Sequence, residues 1–194
     1  MAALFVAVTS WIWLVLEIGL VVRDRRRGKG SASLDRGSRR AVVILTVIAS
    51  VGSTAVQVLL PAHSALRLSA APHVPWAPPA GLAVMWFGLV LRVWAITVLG
   101  RSFRTTVEID TDQRVVDRGP YRWVRHPSYS GLLLITLGYG LAADNWISLG
   151  LMIVLPLSAL LWRITVEERA LVSTLGGPYE TYRARTKRLV PGLW

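Results

Sequence analysis

Residues 2–22, 41–60 and 80–99 are three nearly unbroken apolar runs of about twenty residues each. At about 1.5 Å per residue, each run as a helix is long enough to cross roughly 30 Å of hydrocarbon. A backbone in hydrocarbon must satisfy its own hydrogen bonds, so runs of this kind are helical. Two shorter apolar segments follow at 129–143 and 146–164, separated only by Asp144-Asn145. So tight a connection predicts an antiparallel helical hairpin. The first of the pair carries Gly131, Gly138 and Gly140, small residues that let helices approach closely. The expectation is an all-α polytopic membrane protein with about five transmembrane helices.

Charge orients these spans. Of the 22 Lys and Arg residues, eight lie in 23–40, one in 61–79, six in 100–128 and six from Arg163 onward. The positive-inside bias therefore places both long basic loops and the C-terminus in the cytoplasm, with the N-terminus outside. The first helix lacks a basic n-region and is followed by its positive charges, as expected of a retained helix rather than a cleaved signal. The excess of 20 Arg over 2 Lys fits a GC-rich bacterial genome, hence an inner plasma membrane. A net charge of +11 suggests nucleic acid at first sight. The basic residues flank apolar runs, however, and do not line one soluble face, so membrane lipids and topology account for them.

The absence of cysteine removes disulfides, thiolate metal sites and cysteine nucleophiles. His63 and His73 sit among prolines without the acidic or additional imidazole partners a metal needs, so no metal site is expected. Glu17 and Arg92 are ionisable groups inside apolar runs. Such groups seek partners, and each can supply the other's across the bundle. Residues 105–110 and 114–116 read as extended or looped.

The chemistry concentrates where polarity meets the fourth apolar segment. Tyr121, Arg125, His126 and Tyr129 lie at its entrance, and Arg163, Glu167 and Glu168 at the exit of the fifth. If those segments form a hairpin, its two ends are neighbours and these residues converge at membrane level. Pro127, directly after His126, suits the first position of a helix. Each residue alone has an ordinary reading as a snorkelling arginine, an aromatic-belt tyrosine or a solvated acid. The combination calls for a ligand.

Gly119-Pro120-Tyr121-Arg122, Arg125-His126-Pro127-Ser128-Tyr129-Ser130-Gly131, Glu167-Glu168-Arg169-Ala170-Leu171 and Gly176-Gly177-Pro178-Tyr179-Glu180-Thr181-Tyr182, with Leu99-Gly100-Arg101-Ser102-Phe103 upstream, resemble the isoprenylcysteine carboxyl methyltransferase family and the wider group that includes phospholipid N-methyltransferases. The resemblance covers roughly residues 80–194 as a catalytic region and leaves 1–79 as two N-terminal helices with their loops. It implies S-adenosylmethionine as cofactor, in a pocket closed by the C-terminal segment. No Gly-rich dinucleotide turn appears in the sequence, in keeping with that. By position, Val115, Val116, Tyr121, His126, Pro127 and Tyr129 are implied as pocket lining. Glu167 or Glu168 is implied at the methionine ammonium, with Glu168 nearer the transfer site, and Tyr179 and Tyr182 as caps. Arg125 and Arg163 match paired arginines suited to an anionic acceptor.

The resemblance therefore implies a methyltransferase for a lipophilic or small acceptor, with transfer to a carboxylate favoured over a thiol. Five spans are fewer than in the eukaryotic enzymes, so the reaction type carries over better than the substrate. Two other readings stay open: a sterol-reductase-type membrane enzyme using NADPH, and a non-enzymatic protein whose polybasic loops hold anionic lipid or a partner.

Overall fold

The computed structural model describes residues 2–26, 34–59, 76–107 and 114–192. Its helices are α1 (Ala2–Arg26), α2 (Ser38–Leu59), α3 (Ala77–Leu99), α4 (Pro127–Ala142), α5 (Trp146–Leu175) and α6 (Gly177–Arg185), with short 3₁₀ turns at Gly100–Ser102 and Gly119–Arg122. Among the described residues the only extended pairing is one isolated parallel bridge between Val124 and Lys187. His63, His73 and residues 108–113 lie outside the described residues.

Four helical stretches, Leu4–Arg26, Ser38–Leu59, Ala77–Ser102 and Trp146–Leu175, are long and apolar enough to cross a membrane. The bundle turns large apolar side chains outward: Trp11 is 66% exposed and Phe87 64%. In water such a surface would be untenable, whereas in lipid it is solvated. The chain is thus an integral membrane protein.

Two of the expected spans are refined. The fourth segment forms α4, but its 16 residues reach only about 24 Å. It is shorter than the hydrocarbon thickness and packs between α3 and α5. The fifth segment does not end at Ile164. It continues through the charged sequence to Leu175 as a single 30-residue helix of about 45 Å, because no glycine or proline interrupts it between Pro156 and Gly176. Its far end therefore projects past the apolar layer.

Packing follows the small residues. α3 lies along α4, α2 along α5, α4 against α5, and α1 against α3. A Cβ added at Gly88 would come within 2.7 Å of the Gly131 carbonyl oxygen, and one at Gly138 within 2.5 Å of the Gly81 oxygen. Pairs seven residues apart on each helix thus bring the two backbones into direct contact. At the hairpin turn Asp144 adopts φ 52°. Asn145 caps α5 by accepting from the amides of Ile147 at 2.9 Å and Ser148 at 3.3 Å.

Arg92 and Glu17 meet as the sequence allows. Arg92 Nε donates to Glu17 Oε1 at 2.6 Å and Nη2 to Oε2 at 2.9 Å, which ties α1 to α3. Nη1 donates to the carbonyl and hydroxyl oxygens of Ser128, both at 2.9 Å. One guanidinium therefore fixes the start of α4.

Candidate active site

The entrance to α4 is positioned from both directions. Pro127 opens the helix and His126 precedes it in a non-helical conformation (φ −123°, ψ 55°). The Gly88–Gly131 contact presses this first turn against α3. On the other side the chain after α6 runs back along it. Arg125 N donates to the Lys187 carbonyl at 2.7 Å, His126 N to that of Arg188 at 3.0 Å, and Ser130 Oγ to that of Leu189 at 2.6 Å. Tyr182 on α6 donates its hydroxyl to the Tyr121 carbonyl at 2.8 Å. The C-terminal segment is thus a strap across residues 121–130.

Beneath that strap lies a pocket of about 820 Å³, counting its open mouth. Val115, Val116, Tyr121, Arg125, His126, Tyr129, Glu167, Tyr179 and Tyr182 all border it, drawn from four separate stretches of chain. Three of the expected residues do not reach its wall: Pro127, Arg163 and Glu168.

The two adjacent acids occupy different environments. Glu167, with a side chain 28% exposed, borders the pocket and accepts from the Tyr129 hydroxyl at 2.5 Å. The Glu168 side chain is 5% exposed and sits in a web of cations. It accepts from Arg125 Nε at 2.8 Å and Arg188 Nη2 at 3.1 Å, with His126 Nε2 3.4 Å away. On a helix consecutive side chains point about 100° apart, so one acid faces the pocket and its neighbour the strap. Of the two acids implied at the methionine ammonium, Glu167 is the one that borders the pocket, and Glu168 lies behind it against the strap.

Arg163, implied at an acceptor, is bound up with protein groups. It is 4% exposed and all three of its nitrogens are engaged. Nε donates to the Tyr129 hydroxyl at 2.6 Å, Nη1 to Asp35 Oδ1 at 3.0 Å, and Nη2 to the Thr105 carbonyl at 2.8 Å. Arg125 stays at the pocket wall, while its Nε holds Glu168 and its Nη1 the carbonyls of Arg183 and Thr186.

Aromatic groups supply the remaining wall. His126 and Tyr129 stack with centroids 5.4 Å apart and planes 9° from parallel. Burial pushes the hydroxyls of Tyr121, Tyr179 and Tyr182 above the usual tyrosine range, with nearby carboxylates adding to the effect at Tyr121 and Tyr179. All three are therefore neutral at physiological pH. The Tyr179 hydroxyl is buried at the pocket without a hydrogen-bond partner, an orphan that a bound polar group would satisfy. On the other face of the α4 entrance an almost wholly apolar groove runs between Trp94, Trp123, Leu133 and Leu137.

Residues not anticipated from the sequence include Asp35, Ser128 and Arg188. Asp35 had a signal: it and Asp24 are the only acids among eight bases in 23–40. Nothing in the sequence distinguishes Arg188 from its basic neighbours.

Comparison with known proteins gives a family likeness over the part of the chain that holds most of the pocket. Residues 81–173 match the isoprenylcysteine carboxyl methyltransferase (ICMT) family. The chain is 35% identical over 119 residues to a protein-S-isoprenylcysteine O-methyltransferase of Schizosaccharomyces pombe, covering 58% of this chain and 48% of that one. It is 34% identical over 123 residues to protein-S-isoprenylcysteine O-methyltransferase B of Arabidopsis thaliana, covering 60% of each. A solved eukaryotic intramembrane Ras methyltransferase ICMT superposes with a TM-score of 0.60 at 29% identity, over 78% of this chain and 52% of that one. The chain thus spans about half to three fifths of these relatives.

Proposed function

Taking as premise that this chain is related through residues 81–173 to the isoprenylcysteine carboxyl methyltransferase family, we propose that it is an S-adenosylmethionine-dependent methyltransferase working at the membrane, with O-methylation of a lipophilic carboxylate as its reaction. The observation that carries this reading is the pocket itself. A wall of tyrosines, His126 and one free-facing acid, Glu167, lies at the junction of an apolar bundle and a polar strap.

The residues present fit the cofactor. Glu167 is the pocket carboxylate suited to a methionine ammonium, and the neutral rings of Tyr121, Tyr129 and Tyr179 suit a cationic sulfonium and a flat base. The orphan Tyr179 hydroxyl offers one further polar contact. When bound, S-adenosylmethionine supplies an electrophilic methyl group. The task of the protein is to align the acceptor with it and to exclude water. Of the cations that border the pocket, Arg104, Arg114 and Arg125, the last lies beside His126 and Tyr129 and is the one assigned to an acceptor carboxylate. An ordinary carboxylate is already ionised at neutral pH and needs no base. A thiol acceptor would have to lose a proton, and His126 is the nearest imidazole for that step.

The apolar groove beside Trp94 and Trp123 supports a lipophilic acceptor arriving from the bilayer. In this reading residues 80–194 form the catalytic region and 1–79 supply two accessory helices. The strap and long loops face the cytoplasm of a bacterial inner membrane, with the N-terminus outside, as the charge bias requires.

Calorimetric titration of detergent-solubilised full-length protein with S-adenosylmethionine, S-adenosylhomocysteine and NADPH tests the proposal. Binding of both adenosyl ligands and not NADPH is expected. NADPH binding alone would favour the reductase reading, and binding of none would leave a lipid- or partner-binding protein.

A further inference from the structure

The two acids of the first basic loop converge on one short segment of the pocket wall. Asp24 Oδ2 accepts from the Thr105 amide, and Asp35 Oδ1 lies 3.4 Å from the Val107 amide. Leu34 N donates to the Val107 carbonyl at 3.0 Å, and Arg23 Nη2 to that of Phe103 at 3.1 Å. Phe103, Thr106 and Val107 border the pocket. The N-terminal helices, which lie outside the family match at 81–173, therefore complete the site.

Asp35 does more than anchor this segment. Its Oδ1 takes the Arg163 Nη1 hydrogen bond at 3.0 Å, and that side chain is held in place by Ser38 Oγ at 3.0 Å and the Arg39 amide at 3.2 Å. Arg163 Nε in turn donates to the Tyr129 hydroxyl at 2.6 Å, which directs the hydroxyl proton to Glu167 Oε2 at 2.5 Å. Asp35, Arg163, Tyr129 and Glu167 are thus one chain from the base of α2 to the pocket. With both acids ionised its net charge is negative by one. If Asp35 were neutral, Arg163 would cancel Glu167. The surroundings cannot supply the lost charge, because Glu168 is already outnumbered by Arg125 and Arg188 and the other charged side chains of the pocket wall, Arg104 and Arg114, are cations.

We propose that Asp35 is a positioning residue that neutralises Arg163, so that this guanidinium does not offset the negative charge Glu167 presents to a cationic cofactor. The proposal rests on the methyltransferase reading. Its signature is discrimination by charge: S-adenosylmethionine carries a sulfonium that S-adenosylhomocysteine lacks, with nearly the same shape.

The experiment is calorimetric titration of the solubilised full-length protein with both ligands. Asp35→Asn is expected to weaken S-adenosylmethionine about fivefold more than S-adenosylhomocysteine, an order of magnitude set by one unit charge acting across a partly screened site. Asp24→Asn, which loosens the same segment but leaves the Asp35–Arg163 ion pair in place, should leave the ratio of the two affinities at its wild-type value. Because Asp35→Asn alone strands a buried arginine and can fail to fold, the paired variant Asp35→Asn with Arg163→Gln is measured as well. Lacking both charges, it should keep the wild-type ratio. An unchanged ratio in folded Asp35→Asn, or a collapsed ratio in the paired variant, overturns the proposal and leaves the methyltransferase reading intact. Failure of the wild-type protein to bind either ligand overturns both.

Discussion

Arg92 holds both carboxylate oxygens of Glu17 across the α1–α3 interface, at 2.6 and 2.9 Å. The two residues are 75 positions apart, and with the Arg23 and Asp24 hydrogen bonds to Phe103 and Thr105 they tie α1 to the rest of the protein. Removing one partner strands the other's charge, a loss of about 3–5 kcal/mol for fully buried pairs and less here because the Glu17 side chain is 29% exposed, while removing both leaves no unpaired charge. Glu17→Leu and Arg92→Leu should each lower the thermal midpoint in detergent. The double variant should melt above Arg92→Leu, although the Ser128 bonds are lost in both. Additive losses would show that the pair is not coupled.

The α3–α4 contact leaves no room for a side chain at its glycines. Gly88→Ala forces a Cβ to within 2.7 Å of the Gly131 carbonyl oxygen, so the helices must part. The expected loss is roughly 1–3 kcal/mol, the usual range for overpacking. Gly19→Ala meets nothing within 4 Å and is the matched control, expected to be neutral or slightly stabilising. Thermal unfolding of both variants checks the contrast.

Glu167 and Glu168 are adjacent in sequence and should differ in phenotype. Glu167→Gln removes the carboxylate at the pocket wall and should weaken S-adenosylmethionine by about tenfold or more, with little change in melting. Glu168→Gln leaves Arg125 and Arg188 without their counterion and should destabilise the strap. Limited proteolysis near residues 182–190 reads that out. The reverse pattern would restore Glu168 as the ligand-binding acid.

The buried tyrosines make the strap sensitive to base. Tyr121, Tyr179 and Tyr182 hold their protons more tightly in the folded protein than in the unfolded chain, because burial disfavours the phenolate. Their contribution is therefore fully present below the unfolded tyrosine value of about 10 and is lost as pH rises beyond it. Stability should be insensitive to these groups at neutral pH and fall above about pH 10. Tyrosinate absorbance should appear together with unfolding. Titration of these groups in protein that remains folded at pH 10 would contradict the assignment.

Much of the fold was legible in advance because hydrocarbon imposes its rule locally. An apolar run of about twenty residues must be a helix whatever surrounds it. The location of the candidate pocket was legible too, since Arg125-His126-Pro127-Ser128-Tyr129 at the mouth of such a run has no inexpensive desolvated state without partners. The hairpin that brings Tyr129 to within 2.5 Å of Glu167 followed from the two-residue turn at Asp144-Asn145.

What the sequence could not assign was the partner of each charge. Glu167 and Glu168 are the same residue type one step apart, and only the rotation of α5 sends one to the pocket and the other to Arg125 and Arg188. Arg163 matches one of the family's paired arginines, and nothing near it in the sequence announces that Asp35, 128 positions away, is its ion-pair partner. Helix formation depends on neighbours a few residues away, so the sequence by itself determined the spans. The direction of a side chain's charge depends on contacts between distant segments, and only the packed tertiary structure decided it.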